Sequence, residues 1–144
     1  MNAEDTGIMD AAAVGALAAG LLVEACGDGD DPLSGTVRGL GEDLGRALRP
    51  SSGAGTADAL VGAALACADL ATLAACNAAA LPARGGPSAV AATHLAAGAA
   101  RALAALGEAE LGARDDAYAG NALRDLRSAG WKADLAVRQL GEAG

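Results

Sequence analysis

The chain has 144 residues, a formal net charge of −8 and a hydrophobic share of 53%, with no Phe, one Trp and one Tyr. That length suits one domain, spanning 1–144. The acidic balance excludes nucleic acid and anionic membrane surfaces as main partners. The first residues carry Glu4 and Asp5 without a basic residue, so they do not read as a signal peptide. Apolar runs are interrupted by Glu24, Asp69, His94 and Arg101, so none is expected to reach the ~18–20 residues of a membrane span. A soluble, cytoplasmic protein is the expectation.

Valine, isoleucine and threonine are sparse and no segment alternates with period two, so the fold class expected is all-α. Glycine and proline break the chain at 27–31, 50–55, 82–87 and 112–115, which leaves a bundle of about five helices. Helix one is predicted over 8–26. Helix two begins at Pro32 behind a capping Asp31, with a stripe of Leu33, Val37, Leu40, Leu44 and Leu48. Its glycines at 35, 39, 41 and 45 weaken it by ~1 kcal/mol each. Helix three is predicted over 57–81 with Thr56 as its cap, helix four over 88–111 and helix five over 116–140.

Between Asp58 and Arg84 the sole charge is Asp69, so helices three and four are expected at the centre of the bundle or in a subunit interface. Helix five should sit outside. Leu123, Leu126, Gly130, Ala133, Val137 and Leu140 form an a/d seam on it, Asp134 and Arg138 are i,i+4 partners, and Trp131 lies one turn after Arg127, within reach of a cation–π contact. The hydrophobic share is mostly Ala and Leu. Alanine buries little area, yet it lets helix axes approach closer than the usual ~8–10 Å. A core this thin calls for a second subunit, so a homo-oligomer is expected. Leucine at Gly62 or Ala63 should then overpack a close helix contact.

Few polar residues stand where chemistry could be done. Asp69 lies mid-helix among apolar neighbours and shares a face with Leu65, Thr72 and Cys76. A buried carboxylate has a raised pKa and serves as general acid or base, which makes Asp69 the first catalytic candidate. His94, Arg101 and Glu108 are seven apart on helix four. There His94 is a candidate base and Arg101 a candidate anion holder, unless the stripe is simply the wet face. Residues 50–56 form a Gly-rich loop running into a helix N-terminus, where Gly53, Gly55 and Thr56 are candidate ligand-binding positions. Cys26, Cys67 and Cys76 lack CxxC spacing, and His94 is the lone histidine. No metal site or disulfide framework is expected, and small buried thiols in a reducing compartment are the plain reading. The acidic turn 27–31 reads as solvated.

At the loop, Pro50, Gly53, Gly55, Thr56, Ala59, Leu60, Gly62 and Ala63 resemble the opening P-x-x-G-G-G-S-x-x-A-L-x-G-A of the cyclodeaminase/methenyltetrahydrofolate cyclohydrolase family. Ser88, Ala89, Val90, Ala91 and Ala92 look like that family's S-D-A-x-V-A-A helix, without its aspartate. The resemblance implies an all-helical dimer and a tetrahydrofolate derivative as ligand. A second likeness, Gly27-Asp28-Gly29-Asp30, is similar to the GDGD of the nucleotide-binding L subunit of dihydroxyacetone kinase and implies Mg²⁺–ADP binding through Asp28 and Asp30. The missing motif residues leave an alternative, a non-enzymatic helical module that dimerises or binds a partner through its alanine-rich faces.

Overall fold

A computed structural model describes residues 13–20, 35–40, 42, 55–80 and 86–143. Among the described residues there are five helical segments and no strand. The segments are α1 (13–20), α2 (35–40), α3 (Gly55–Ala80), α4 (Gly86–Leu111) and α5 (Ala117–Ala143). The all-α bundle read from the sequence is therefore the fold. The long helices match their expected spans to within two or three residues, and α1 and α2 lie inside theirs. The flanks of the first two predicted helices, with Leu33, Leu44 and Leu48, fall outside the described residues, as do Gly53, Cys26, Asp28 and Asp30.

Local chemistry sets the ends of these helices. Pro87 occupies the first turn of α4, where a missing N–H costs nothing and the fixed φ already suits a helix. α4 ends on Gly112, whose N–H donates to the Glu108 carbonyl at 2.9 Å. A Cβ at Gly112 would lie 2.5 Å from that oxygen, so the close approach requires glycine. Asp116 caps α5 by accepting the Ala119 N–H at 2.8 Å. Thr56, expected as the cap of α3, instead stands inside its first turn, because the helix already runs from Gly55.

α3, α4 and α5 each pack on the other two. Leu60, early in α3, meets Gly107, late in α4, so these two helices are antiparallel. Arg101 pairs with Asp134 and Glu108 with Arg127, so seven residues forward on α4 are seven back on α5. The result is an up-down-up three-helix bundle. Ala18, Ala19 and Val37 of α1 and α2 join the same buried cluster.

The core is alanine. Every buried hydrophobic residue described is Ala except Val37, Leu60, Cys67, Leu70, Leu103, Leu111 and Leu126. The one buried polar side chain described, Thr93, donates its hydroxyl to the Ala89 carbonyl at 2.8 Å and so carries no orphaned donor. The closest approach lies at Gly107. A Cβ there would fall 2.7 Å from Leu60 Cδ2 and closer still to Leu126 Cδ1. Gly62, expected at a close contact, is exposed with open space around it, whereas its neighbour Ala63 is buried.

The inward face of α5 also differs from the expected seam. Its buried residues are Ala119, Ala122, Leu126, Ala129, Ala133 and Ala136, a 3-4-3-4-3 line that shares only Leu126 and Ala133 with the leucine-marked one. Leu123, Val137 and Leu140 pack on its flank, partly buried. A helix that must approach two neighbours closely turns its smallest residues inward, and the larger ones splay to the sides. α4 is less enclosed than expected and keeps Val90, Ala91, His94, Arg101, Ala102 and Ala105 exposed. Contrary to the sequence expectation, Leu60–Ala78 and Gly86–Leu111 are long and apolar enough to cross a membrane by length and composition. One charge in such a window does not offset its Ala and Leu, and core helices of water-soluble proteins pass the same criterion.

Candidate functional site

The groove that gathers polar and aromatic groups runs between α3 and α5. Its volume is about 280 Å³ and it is lined by Asp69, Thr72, Trp131, Lys132, Leu135, Ala136 and Gln139. The α5 alanine seam creates it: Ala136 is too small to fill the space between the helices, while Trp131 and Leu135 stand on the outer lip. Trp131 is 64% exposed and Leu135 39%. Thr72 donates back to the Ala68 carbonyl at 3.1 Å, which leaves its oxygen free to accept.

Asp69 lies in this groove, but it is not the buried carboxylate its neighbours suggested. It sits on the outward line of α3 with Asp58, Gly62 and Cys76. Its carboxylate is 53% exposed and faces Lys132 Nζ at 3.7 Å. A salt bridge this open contributes little to stability.

The other predicted residues do not converge on it. Gly55 and Thr56 begin α3, about 20 Å along the helix from Asp69 at 1.5 Å per residue. That N-terminus carries its own first-turn carboxylate, Asp58, which complements the helix dipole and accepts a short hydrogen bond from the Tyr118 hydroxyl. His94 is exposed on α4. Arg101 Nη1 is held by Asp134 Oδ1 at 3.1 Å, at the α4–α5 seam rather than the α3–α5 groove. Asp134 therefore pairs across helices and not with Arg138. Arg127 reaches Glu108 at 3.6 Å rather than Trp131. The cation–π contact found is Arg114 over the Tyr118 ring at 5.6 Å.

These pairs form a polar frame around α5. Tyr118–Asp58 and Lys132–Asp69 tie it to α3, and Arg127–Glu108 and Asp134–Arg101 tie it to α4. At its N-terminus the Ala119 N–H, followed by Arg114, holds the Asp116 carboxyl below the usual carboxylate range. Asp58 raises the Tyr118 hydroxyl above its ordinary value. The thiols differ from expectation in one respect. Cys67 is buried and its pKa is pushed up to about 12 by loss of solvent, whereas Cys76 is exposed; both are free. Cys67 thus lies in the core and His94 on the surface. Among the described residues no three His, Cys, Asp or Glu side chains cluster to hold a metal ion.

Sequence reasoning missed Lys132, Leu135, Ala136 and Gln139. The available signal was that Trp131 and Leu135 are i,i+4 partners on the side of α5 away from its alanines. In class the molecule is an alanine-cored, all-α up-down-up bundle with an open inter-helical groove. Compared with known protein families, curated proteins and solved structures, the chain gives no match.

Proposed function

We propose that the chain is a non-enzymatic helical module that works by self-association, and that the α3–α5 groove is its contact surface. The observation that carries this reading is Trp131. It is the chain's one tryptophan, it is 64% exposed, and it stands with Leu135 on the lip of a groove floored by Ala136. Exposed tryptophans beside apolar pockets are the side chains that anchor protein interfaces. The candidate acids and bases argue the same way. Asp69 and Arg101 are engaged in exposed inter-helical ion pairs on different seams, and His94 is exposed two turns along α4 from Arg101. A thin alanine core also supports an oligomer. The free thiols Cys67 and Cys76 support a reducing, cytoplasmic setting, and the acidic charge supports no role for nucleic acid.

One feature favours a second reading, a folate-type ligand as the cyclodeaminase resemblance implies: Asp69 and Trp131 line the same groove, so a flat heterocycle could stack on the ring while the carboxylate accepts its N–H groups. Sedimentation velocity from micromolar to millimolar chain separates the two. Self-association predicts a dimer that Trp131→Ala converts to monomer with unchanged helicity, at a cost of at least ~2 kcal/mol. A monomer at every concentration whose melting temperature rises with a tetrahydrofolate derivative would overturn it.

A further inference from the structure

We infer that the second copy docks antiparallel, α5 against α5, with the two-fold axis beside Ala133; this rests on the self-association reading above. Arg124, Ser128, Trp131, Leu135 and Arg138 are all exposed and spaced 4, 3, 4, 3. They form a second stripe, opposite the alanine seam that faces the core. α5 is also where two acidic chains can meet with least repulsion. It holds Arg124, Arg127, Lys132 and Arg138 against three acidic residues, in a chain of net charge −8.

Charge on this stripe selects the register. A two-fold contact is isologous, so each residue k places before the axis faces the partner's residue k places after it. With the axis beside Ala133, Trp131 faces the partner's Leu135, Ser128 faces the partner's Arg138 and Arg127 faces the partner's Gln139. No like charges meet. With the axis beside Trp131, Arg124 meets the partner's Arg138; beside Leu135, Lys132 meets it instead. A parallel arrangement sets Arg124 and Arg138 each against itself. Only the Ala133 register joins the two apolar residues and avoids every such clash. It also lays each Trp131 along the lip of the partner's groove.

The test is charge at Ser128, an exposed position outside the groove. By sedimentation equilibrium at low salt, Ser128→Glu should tighten the dimer by about 2–5-fold for each new pair with Arg138, twice over in a symmetric dimer, and Ser128→Arg should loosen it. In an Arg138→Ala background the Ser128→Glu gain should vanish, which separates it from any effect of the new glutamate within its own helix. A dimer that needs Trp131 but responds alike to both Ser128 variants would overturn the register and leave self-association standing. A chain that is monomeric throughout would overturn both.

Discussion

Gly107 is where the close packing of this bundle is most exposed to test. In the middle of a helix, Gly→Ala ordinarily stabilises by ~1 kcal/mol through chain entropy and helix propensity. At Gly107 the added Cβ would sit 2.7 Å from Leu60 Cδ2 and nearer still to Leu126 Cδ1. Both leucines are buried to 1% exposure or less, so neither methyl can swing into solvent. Overpacking of this kind costs about 1–3 kcal/mol. The two effects oppose, and the clash from two helices at once outweighs the propensity gain. We expect Gly107→Ala to lose about 1 kcal/mol net, a drop of roughly 3–6 °C in a domain of this size. Gly62→Ala is the control: with nothing near its Cβ position, it should gain up to ~1 kcal/mol. Leu126→Ala will itself cost about 2–5 kcal/mol, yet in that background Gly107→Ala should turn neutral or stabilising as the space opens. Thermal melts of the four variants decide the matter. If Gly107→Ala melts as high as Gly62→Ala, the helices are not in the contact described.

Four further outcomes follow from the polar frame and the thiols. The folded-state pKa of Asp116 is depressed, so its contribution is present above the ordinary carboxylate value of 3.8 and disappears as pH falls through the lower folded value. The melting difference between wild type and Asp116→Ala should shrink on acidification; an unchanged difference would refute the cap. Tyr118 is raised, so its contribution holds below its ordinary value of 10.0 and is lost as pH rises through the higher folded value. Ultraviolet titration of the phenolate should therefore shift down toward 10.0 in Asp58→Asn. Iodoacetamide at mildly alkaline pH should modify Cys76 in the folded protein and reach Cys67 only on unfolding, as read by peptide mass; equal labelling would contradict the burial of Cys67. Finally, Asp69→Asn should change stability by less than ~1 kcal/mol, since the pair with Lys132 is half in solvent.

What was legible in the sequence was the punctuation. Pro82 to Pro87 and Gly112 to Asp115 interrupt an otherwise uniform apolar chain, and the helices begin and end beside them. The facing of the helices was much harder to read, and α5 shows why. Sequence patterns are drawn from the large residues, so Leu123, Val137 and Leu140 drew the seam toward themselves. The core of this bundle admits alanine in preference, and alanine gives no contrast in a chain full of it. The same cause misplaced Asp69. Its neighbours are apolar because the whole helix is apolar, but a bundle helix still has an outward line. Asp58 and Asp69 lie eleven residues, or three turns, apart on that line.

The ion pairs reveal one constraint that was readable and one that was not. Arg101 and Glu108 are seven apart, and so are Arg127 and Asp134. Once two helices are taken as antiparallel neighbours, such spacing pairs opposite charges on both rungs at once, and the structure has both rungs. Lys132 could not be assigned to Asp69 in that way, because a parallel pair of helices separated by a third gives no register from loop length. That pair spans the groove beside Trp131, where Asp69 on α3 faces Lys132 on α5 at 3.7 Å. A polar contact worth little to stability thus lies within the surface that the proposed partner must fit. Lys132→Ala should accordingly weaken association more than it lowers the melting temperature. A loss confined to melting, with dimer affinity unchanged, would show that the groove keeps its shape without it.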